Sequence, residues 1–438
     1  MKNKKVEKTD KVSRRNFIKA SAAVGIAATL SGRERLFAAG SDKLRVGVVG
    51  CGWRGTGAAQ DCVTAADNVE VVAMGDLFQD QLDWSLATLS REVDEKVSVT
   101  KETSFVGFDA YKKVIACDID MVILATAPHF RPEQLKAAIE AGKHVFMEKP
   151  VAVDPVGIRL VIASSELAEQ KGLAIVTGTQ RRHQNHYLEI IKRIHAGDIG
   201  EIRSAQCYWN MGALWVERAK ENLQKKETLG WSDLEWQCRN WLFLTWLSGD
   251  HIVEQHVHNL DIVNWAIGAH PVQAMGMGGR EVRTGPEYGN VFDHFAVEYE
   301  YPNGVRVLSM CRQTDGCHET VAERIVGTEG KSYTDGSTGS IEGRKPYKYE
   351  GESPNPYVQE HADLIASIRE GRPLNEGKRI AESTMTAIMG RMSAYTGRAL
   401  KWDWAMNASK LDLSPPEYSF DIEVPVRPVA VPGKTQLI

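Results

Sequence analysis

The sequence predicts an α/β protein with two domains, the first built on a doubly wound parallel sheet and the second an α+β domain with a mainly antiparallel sheet. Between residues 44 and 176, short apolar segments of strand length alternate with segments compatible with helices, which is typical of a parallel sheet covered by helices. Residues 295–310 show strand-like alternation around the pair Asn303-Gly304, which predicts an antiparallel hairpin.

Length and composition favour a soluble enzyme or binding protein that acts on a small molecule. A chain of 438 residues with 43% hydrophobic content is long enough for two cores. We place the first domain at residues 41–165, the second at 166–403, and an extended arm at 404–438. The net charge of −4 gives no large basic field, so nucleic acid is not an expected partner. The seven cysteines are scattered singly, which favours neither a disulfide framework nor a zinc module.

The N-terminal segment resembles an export signal. Residues 1–19 are rich in Lys and Arg, an apolar run follows from Ala20 to Leu30, and small residues suited to cleavage come after it. Arg14-Arg15 lies in a context similar to the twin-arginine signal of bacteria. The apolar run is shorter than the roughly 20 residues that a membrane span needs. We therefore predict a cleaved signal peptide at residues 1–40, a periplasmic location and no stable membrane span.

A glycine pattern follows the first predicted strand. Residues 44–49 form an apolar run that leads directly into Gly-x-Gly-x-x-Gly, and a helix-compatible stretch follows. Glycines at these positions allow a tight turn and a close approach of the backbone to a pyrophosphate, while the helix N-terminus presents N–H groups to the anion. This predicts a dinucleotide site of the Rossmann type. The loop residues expected to meet the cofactor are Gly50, Gly52, Trp53, Arg54 and Gly55.

An acidic residue ends the second predicted strand. Residues 69–74 are apolar and are followed by Gly75-Asp76, at about the distance where a carboxylate accepts hydrogen bonds from the adenosine ribose. An acid there repels a 2′-phosphate, and no Arg follows at once, so the predicted cofactor is NAD rather than NADP. The alternative is that Asp76 is only a turn residue or a helix cap.

Two further strands end in polar residues that we expect at the same edge of the sheet. The runs 120–125 and 144–147 are strand-like, and ligands collect at the carboxyl ends of parallel strands. The residues predicted there to contact the cofactor are Thr126, His129, Glu148 and Lys149.

The glycine loop, the Asp76 strand end and Glu148-Lys149-Pro150 together resemble the Gfo/Idh/MocA family of NAD(P)-dependent oxidoreductases over residues 43–400. The resemblance implies that Lys149 points at the substrate hydroxyl and the nicotinamide ribose. It aligns Glu254 and His258 with the Asp and His of the family's second motif, with Glu in place of Asp. The resemblance also implies an open-faced sheet in the second domain, which would make subunit contacts in a dimer or tetramer.

His258 is the candidate general base for oxidation of a secondary alcohol, because removal of the hydroxyl proton accompanies hydride loss and His titrates near neutral pH. The i, i+4 spacing predicts that Glu254 and His258 share one helical face, where the carboxylate would orient the imidazole. A metal site formed with His251 is the alternative, but the spacing matches no standard zinc motif, so no metal is predicted.

The predicted function is hydride transfer between a sugar or cyclitol hydroxyl and NAD. The alternative is an NAD-dependent glycosidase that oxidises a sugar transiently, eliminates the glycosidic bond and returns the hydride; a third class is a non-catalytic NAD-bound sugar sensor. A bound, regenerated cofactor would suit an exported enzyme. Besides Lys149 and His258, the candidate substrate-binding residues are Arg181, Tyr187, Tyr357 and His361.

Two other segments carry open interpretations. Four tryptophans at positions 231, 236, 241 and 246 either line a sugar pocket by stacking or fill a core. Residues 334–356 are rich in Gly, Ser, Pro and Lys, which predicts a mobile loop.

Overall fold

The computed structural model describes residues 43–438, so the predicted signal peptide lies outside the described residues. The first half contains a six-stranded parallel sheet in the order β3-β2-β1-β4-β5-β6. The order reverses between β1 and β4, so their carboxyl ends flank a crevice. The doubly wound sheet is confirmed. Its strands are β1 (Leu44–Val49), β2 (Val69–Asp76), β3 (Ser104–Val106), β4 (Met121–Leu124), β5 (His144–Met147) and β6 (Ile175–Thr177).

Five helices connect these strands and cover both faces of the sheet. They are α1 (Trp53–Ala65), α2 (Gln79–Val93), α3 (Ala110–Ala116), α4 (Arg131–Glu140) and α5 (Pro155–Lys171). Helix α5 shows how the sequence sets such boundaries. The Asp154 side chain accepts a hydrogen bond from the Gly157 N–H, Pro155 occupies the first turn, and Gly172 ends the helix in a left-handed conformation.

The second half contains a nine-stranded sheet in the order β14-β13-β12-β11-β7-β10-β9-β8-β15. Only the β7–β10 pair is parallel, so the mainly antiparallel sheet is confirmed. The predicted hairpin is also confirmed, because Arg306 of β10 pairs with Glu300 of β9. The strands are β7 (Ile202–Met211), β8 (Gln273–Gly279), β9 (His294–Glu300), β10 (Arg306–Gln313), β11 (Thr320–Gly327), β12 (Gly330–Asp335), β13 (Gly339–Gly343), β14 (Tyr347–Lys348) and β15 (Leu400–Lys401).

The prediction of a loop over residues 334–356 is wrong for its first half, because β13 and β14 form there. One of the glycines that suggested a loop, Gly339, instead permits close packing of β13, the strand next to the sheet edge. A Cβ at Gly339 would lie 2.7 Å from Cγ1 of Ile190, so only glycine lets this strand approach the helix beside it.

Helices cover one face of the second sheet and leave the other open. Eight helices belong to this half: α6 (Asn185–His195), α7 (Val216–Leu229), α8 (Asp233–Arg239), α9 (Thr245–Ser248), α10 (His251–Glu254), α11 (Val257–Ile267), α12 (Pro356–Arg369) and α13 (Gly377–Thr396). Helices α11 and α13 pack on the covered face, and one apolar core includes residues of both sheets. Met275, Met277, Leu308 and Met310 point outward from the open face.

The parallel sheet continues to Thr177, beyond the boundary predicted between residues 165 and 166, and we propose that the first domain extends at least to that strand. The arm from residue 404 contains one π-helical turn and otherwise runs as irregular chain over the parent domain. There, Leu413 N–H donates to Asp154 Oδ2 at 2.9 Å. None of the helices within residues 43–438 has the length and apolarity of a membrane span. All seven cysteines are unpaired.

Candidate active site

The glycine loop after β1 has the shape that a pyrophosphate site requires. Gly50 has φ +94°, and a Cβ there would lie 2.5 Å from the Thr126 nitrogen. A Cβ at Gly55 would lie only 1.8 Å from the Gly50 oxygen, so this glycine lets α1 pack tightly against the loop. Gly52 has open space on its Cβ side, and no side chain caps α1. The first N–H groups of α1 therefore remain available to an anion.

Asp76 is fixed beside this loop. Its Oδ2 accepts a hydrogen bond from the Cys51 N–H at 2.6 Å, and its Oδ1 accepts one from the Phe78 N–H at 2.8 Å. Burial raises the pKa of Asp76, and these two hydrogen bonds act against that rise. Each carboxylate oxygen has a second lone pair for a ribose hydroxyl. The turn and cofactor interpretations of Asp76 are therefore compatible.

A cleft of about 1040 Å³ opens over the loop and Asp76. Its first wall comes from the parallel sheet and includes Gly50, Gly52, Asp76 and Thr126. Its second wall comes from residues 215–241 and includes Trp231 and Trp241, while Trp236 and Trp246 are buried. The predicted tryptophan series thus divides between cleft wall and core. The open Gly52 and uncapped α1 N-terminus at the floor fit the pyrophosphate of a dinucleotide, and Asp76 fits its ribose.

Among the other predicted cofactor residues, Thr126 faces this cleft and His129 does not. The Thr126 hydroxyl donates to Gln134 Oε1 at 2.7 Å. His129 is hydrogen-bonded to the Tyr418 hydroxyl at 2.7 Å and packs edge-on against Trp246. Burial lowers the pKa of His129 to about 4. His129 therefore belongs to an aromatic cluster that attaches the C-terminal arm.

Arg131, which sequence reasoning missed, connects the segments that follow β4 and β5. Its side chain is buried and donates to the main-chain oxygens of Thr126, at 2.6 Å, and Pro150, at 2.7 Å. These contacts connect the residues after β4 with the Glu148-Lys149-Pro150 segment after β5. The one sequence signal for this role is the position of Arg131 at the start of α4, just after the strand end.

Arg54 lines the cleft, but its guanidinium is directed at carboxylates. Nε donates to Glu148 Oε1 at 2.5 Å, and the two Nη atoms approach Asp61 at 3.3 Å and Glu360 at 3.4 Å. The ring of Tyr357 covers the guanidinium at 4.9 Å. Burial and the neighbouring Glu148 carboxylate raise the pKa of Glu360 well above its usual value. Arg54 and Glu148 therefore fix α1, β5 and α12 relative to one another.

Lys149 is paired with Glu254 across the two domains. Its Nζ donates to Glu254 Oε1 at 2.9 Å and also to the Glu254 main-chain oxygen. Helix α10 ends at Glu254 and α11 begins at Val257, so the predicted single helical face for Glu254 and His258 is wrong. The chain turns at Gln255 and His256, and the Glu254 carboxylate contacts Lys149 rather than the imidazole.

His258 lies buried at the start of α11. Its ring stacks on Trp209 at 5.7 Å, and its Nδ1 has no hydrogen-bond partner among the described residues. Burial lowers the pKa of His258 well below its usual value, and the nearby cations Lys149, Arg181 and Arg54 lower it further. His258 is therefore neutral near pH 7, the state in which an imidazole accepts a proton.

Asp250 shapes the turn that carries Glu254. Asp250 has φ +70°, which is rare for any residue except glycine. Its buried carboxylate compensates by accepting hydrogen bonds from the His251 N–H, the Phe292 N–H and the Tyr395 hydroxyl. Burying a carboxylate requires such partners, so Asp250 anchors α10 to α13 and to the segment that precedes β9.

The predicted substrate residues fall into two groups. Tyr357 is half-exposed next to Gln180. Arg181 and Tyr187 are buried, and both donate to Glu323, Arg181 at 2.6 Å and Tyr187 at 3.1 Å. His361 is fully buried against the Phe146 ring, at 4.0 Å. Direct substrate contact is therefore geometrically open to Tyr357 and closed to Tyr187 and His361.

The histidine cluster does not assemble as a metal site in the described part of the chain. No group of three His, Cys, Asp or Glu side chains within residues 43–438 is placed to hold a metal ion. His251 is turned toward Asp250, and the Glu254 carboxylate toward Lys149.

Comparison with known proteins agrees with this geometry. Residues 44–179 match the model of the oxidoreductase family with the NAD-binding Rossmann fold. Residues 187–333 match the Gfo/Idh/MocA C-terminal domain, and residues 11–31 match the twin-arginine translocation signal sequence.

Two curated relatives are similar in sequence. The 2,7-anhydro-N-acetylneuraminate hydratase of Escherichia coli K12 is 30% identical over 42% of this chain and 44% of its own length. The chain thus spans less than half of that relative. The NAD⁺-dependent scyllo-inositol 2-dehydrogenase of Bacillus subtilis 168 is 23% identical over 66% of this chain and 73% of its own length.

Solved structures share the fold at low identity. The aldose-aldose oxidoreductase of Caulobacter crescentus has a TM-score of 0.63 at 18% identity and covers 82% of this chain and 99% of its own. The scyllo-inositol dehydrogenase of Lactobacillus casei, solved with NAD(H) and scyllo-inositol, has a TM-score of 0.62 at 17% identity, with the same coverage. With its glycine loop, its Lys149 strand end and both family domains matched, the chain belongs to the Gfo/Idh/MocA family of oxidoreductases, binds NAD on its Rossmann domain, and carries a twin-arginine signal sequence.

Proposed function

We propose that this protein oxidises a secondary hydroxyl of a sugar or cyclitol with NAD. The observation that carries the proposal is the nearly buried Lys149–Glu254 pair next to neutral His258, at the carboxyl end of the sheet that bears the glycine loop. A cation and a neutral base beside a dinucleotide site are the groups that alcohol oxidation needs.

The residues divide the work by charge. Lys149 donates two hydrogen bonds to Glu254, and an ammonium has three donors, so its third can hold the substrate oxygen as negative charge develops there. His258 takes the hydroxyl proton, because burial and the surrounding cations keep it unprotonated beforehand. Glu254 fixes the position of Lys149. When bound, NAD supplies the acceptor for the hydride that leaves the substrate carbon.

The substrate class follows from the site and from the relatives. Relatives named as inositol and scyllo-inositol dehydrogenases support a polyhydroxylated ring. Tyr357, half-exposed over Arg54, offers an aromatic face and a hydroxyl to such a ring.

Glycoside hydrolysis through transient oxidation is the second candidate, and the export signal favours it. An exported enzyme has little free NAD, so a cofactor that recovers its hydride in each cycle suits that location. One relative is named a hydratase, a reaction without net redox change. The elimination step needs a proton donor for the leaving group. Tyr357 is the candidate, because burial raises its pKa and keeps its hydroxyl protonated.

Location and assembly complete the proposal. The twin-arginine signal supports a periplasmic location. The open face of the second sheet exposes Met277 by 75% and Met275 by 57%. Exposed apolar faces of this kind mark protein contacts, so we propose a homo-oligomer, a dimer or tetramer, formed through this sheet.

Parallel assays with and without added NAD separate the candidates. The purified protein is freed of small molecules by gel filtration, tested for retained NAD, and incubated with inositols, free sugars and aryl glycosides, with and without added NAD. Net formation of NADH with an inositol or sugar supports the dehydrogenase. Release of the aryl group without net NADH supports the hydrolase, and binding of NAD with neither reaction would show a sensor.

A further inference from the structure

The second wall of the cofactor cleft comes from the second domain. Helices α7 and α8, with the turns beside them, occupy residues 215–241 between β7 and α9. Trp231, Trp241 and Arg239 of this segment line the cleft opposite Asp76 and Phe78. The aromatic rings therefore face the part of the cleft where Asp76 fits an adenosine ribose.

One arginine fastens this wall to the first domain. The guanidinium of Arg239 donates to both carboxylate oxygens of Asp80, at 3.1 and 3.2 Å, and Asp80 lies in the first turn of α2. The same guanidinium lies between two rings, 3.8 Å from the centre of Phe78 and 4.6 Å from that of Trp231. Phe78 and Asp80 belong to the first domain and Trp231 to the wall, so Arg239 joins the two sides of the cleft at its adenosine end.

Contacts behind the wall hold Arg239 in place. Asn222 of α7 donates to the Arg239 main-chain oxygen at 3.0 Å, which joins α7 to α8. Gln237 donates to the main-chain oxygen of Val424 in the C-terminal arm. Phe420 of the same arm stacks on Phe78 at 5.9 Å with an interplanar angle of 7°. The wall is therefore supported from both domains.

The wall presents more cations than carboxylates to the cleft, since Arg218, Lys225 and Arg239 line it together with Glu221. Arg218 and Lys225 line the cleft, and neither has an ion-pair partner within 4 Å among residues 43–438. The acidic Asp80 is neutralised by Arg239. A ligand with a flat base and negatively charged phosphates meets aromatic faces and unpaired cations here.

We propose that residues 215–241 form the adenosine-binding wall of the cofactor site and that Arg239, through Asp80, Phe78 and Trp231, fixes this wall in its binding position. The inference rests on the proposed function, since it concerns the same cofactor. It adds that affinity for the adenosine half depends on the second domain as well as on Asp76 and the glycine loop, whereas affinity for the nicotinamide half depends on the strand ends of the first domain.

Separate titrations with the two halves of NAD test whether the wall affects the adenosine half alone. ADP-ribose and nicotinamide mononucleotide are titrated calorimetrically into the cofactor-free protein, its Arg239→Ala variant and a control, Arg344→Ala. Arg344 forms an exposed ion pair with Glu329 at 2.8 Å and does not line the cleft, so it controls for loss of an arginine charge elsewhere in the second domain. We expect the Kd of ADP-ribose to rise about fivefold to tenfold in Arg239→Ala, as loss of a stacked, bidentate arginine would cause. Nicotinamide mononucleotide should bind as in the wild type, and the control should bind both ligands normally.

An unchanged ADP-ribose Kd in Arg239→Ala would overturn the inference, as would an equal loss for both ligands. If that variant does not fold, Trp231→Ala decides in the same way, because it removes the ring that holds the guanidinium on the wall side. Failure of the wild type to bind either ligand would instead contradict the proposed function, so the two failures are distinguishable.

Discussion

Two ion pairs, Lys149–Glu254 between the two domains and Arg181–Glu323, are both nearly buried, yet they differ in how fully their hydrogen-bonding capacity is used. Glu323 accepts from Arg181, Tyr187, Asn259 and Thr334 and is completely enclosed. Among residues 43–438, the Glu254 carboxylate accepts hydrogen bonds from the side chains of Lys149 and Gln255 alone, and the Lys149–Glu254 pair keeps about a tenth of each side chain exposed. A saturated buried pair supports the fold, whereas an unsaturated pair that follows the carboxyl end of β5 can still bind a substrate.

Replacement of Lys149 in the unsaturated Lys149–Glu254 pair should cause the largest change in activity. In Lys149→Met, the substrate oxygen loses its cation, and we expect kcat to fall about a thousandfold, within the range seen for removal of such groups. The free energy of unfolding should fall by less than on loss of a fully enclosed pair, because about a tenth of the Glu254 side chain stays exposed to water. Steady-state kinetics and denaturant unfolding measure the two effects. Lys149→Arg is the control that keeps the charge. A normal kcat in Lys149→Met would exclude Lys149 from the mechanism.

Replacement of Glu323 in the saturated Arg181–Glu323 pair should lower stability instead. Glu323→Ala leaves the buried guanidinium of Arg181 without its carboxylate, and we expect the free energy of unfolding to fall by about 3–5 kcal/mol. Glu323→Gln keeps the shape and part of the hydrogen bonding, so its loss should be smaller. Urea denaturation of both variants measures this. A loss below about 1 kcal/mol in Glu323→Ala would show that the two pairs do not differ as described.

Two buried histidines, His256 and His258, predict how the free energy of unfolding depends on pH. Burial lowers the pKa of His256 to about 3 and that of His258 well below its usual value, so both are neutral in the folded protein. In the unfolded chain they bind protons near pH 6.5. The unfolded state therefore binds more protons below that pH, and the free energy of unfolding should fall on acidification, by at most about 1.4 kcal/mol per pH unit for each group.

His256→Gln should flatten this fall without altering the pH profile of kcat, since the His256 imidazole contacts Ser309 inside the core at 2.7 Å. His258→Gln should flatten it and also abolish proton transfer. Chemical denaturation between about pH 7 and pH 5 measures the slopes. Equal effects of the two variants on kcat would contradict the assignment of His258 as the base.

The smallest effect on the site is expected at the open sheet face, far from both pairs. Met277→Glu places a charge at a strongly exposed apolar position of β8, where like charges would meet across a subunit contact. We expect the oligomer to dissociate while kcat stays within about twofold, because surface substitutions rarely disturb the fold. Analytical ultracentrifugation measures the mass, with Lys348→Glu on the edge strand β14 as the control. An unchanged mass would place the interface elsewhere.

Local patterns predicted the first half of the molecule well. The glycine spacing, the acidic end of β2 and the polar residues after β4 and β5 each depend on a few adjacent residues, so the sequence carries them directly. The family resemblance identified Lys149, Glu254 and His258, and the structure brings these three residues to one region. Whether they act catalytically stays a prediction.

Long-range contacts account for what the sequence did not predict. The break between α10 and α11 has no proline or glycine at Gln255 or His256; it follows the packing of His256 against Ser309 in a strand 53 residues away. Arg239 acts by joining elements 159 residues apart, Arg131 joins two neighbouring loops, and single residues without a spacing pattern give no signal. Tyr187 and His361 were candidates by residue type alone, and burial separates them from the cleft.

In both proposed net reactions, Lys149 holds the substrate oxygen and His258 takes the hydroxyl proton while the hydride passes from the substrate to NAD. Rapid mixing of NAD-loaded protein with a panel of inositols, free sugars and aryl glycosides, followed by the near-ultraviolet absorbance of reduced nicotinamide, tests this most directly. We expect reduced nicotinamide to form in the wild type, transiently for a hydrolase or persistently for a dehydrogenase. In Lys149→Met, none should form on the timescale of the wild-type reaction. Reduction at an equal rate in Lys149→Met, or no reduction in the wild type with any member of the panel, would contradict this expectation.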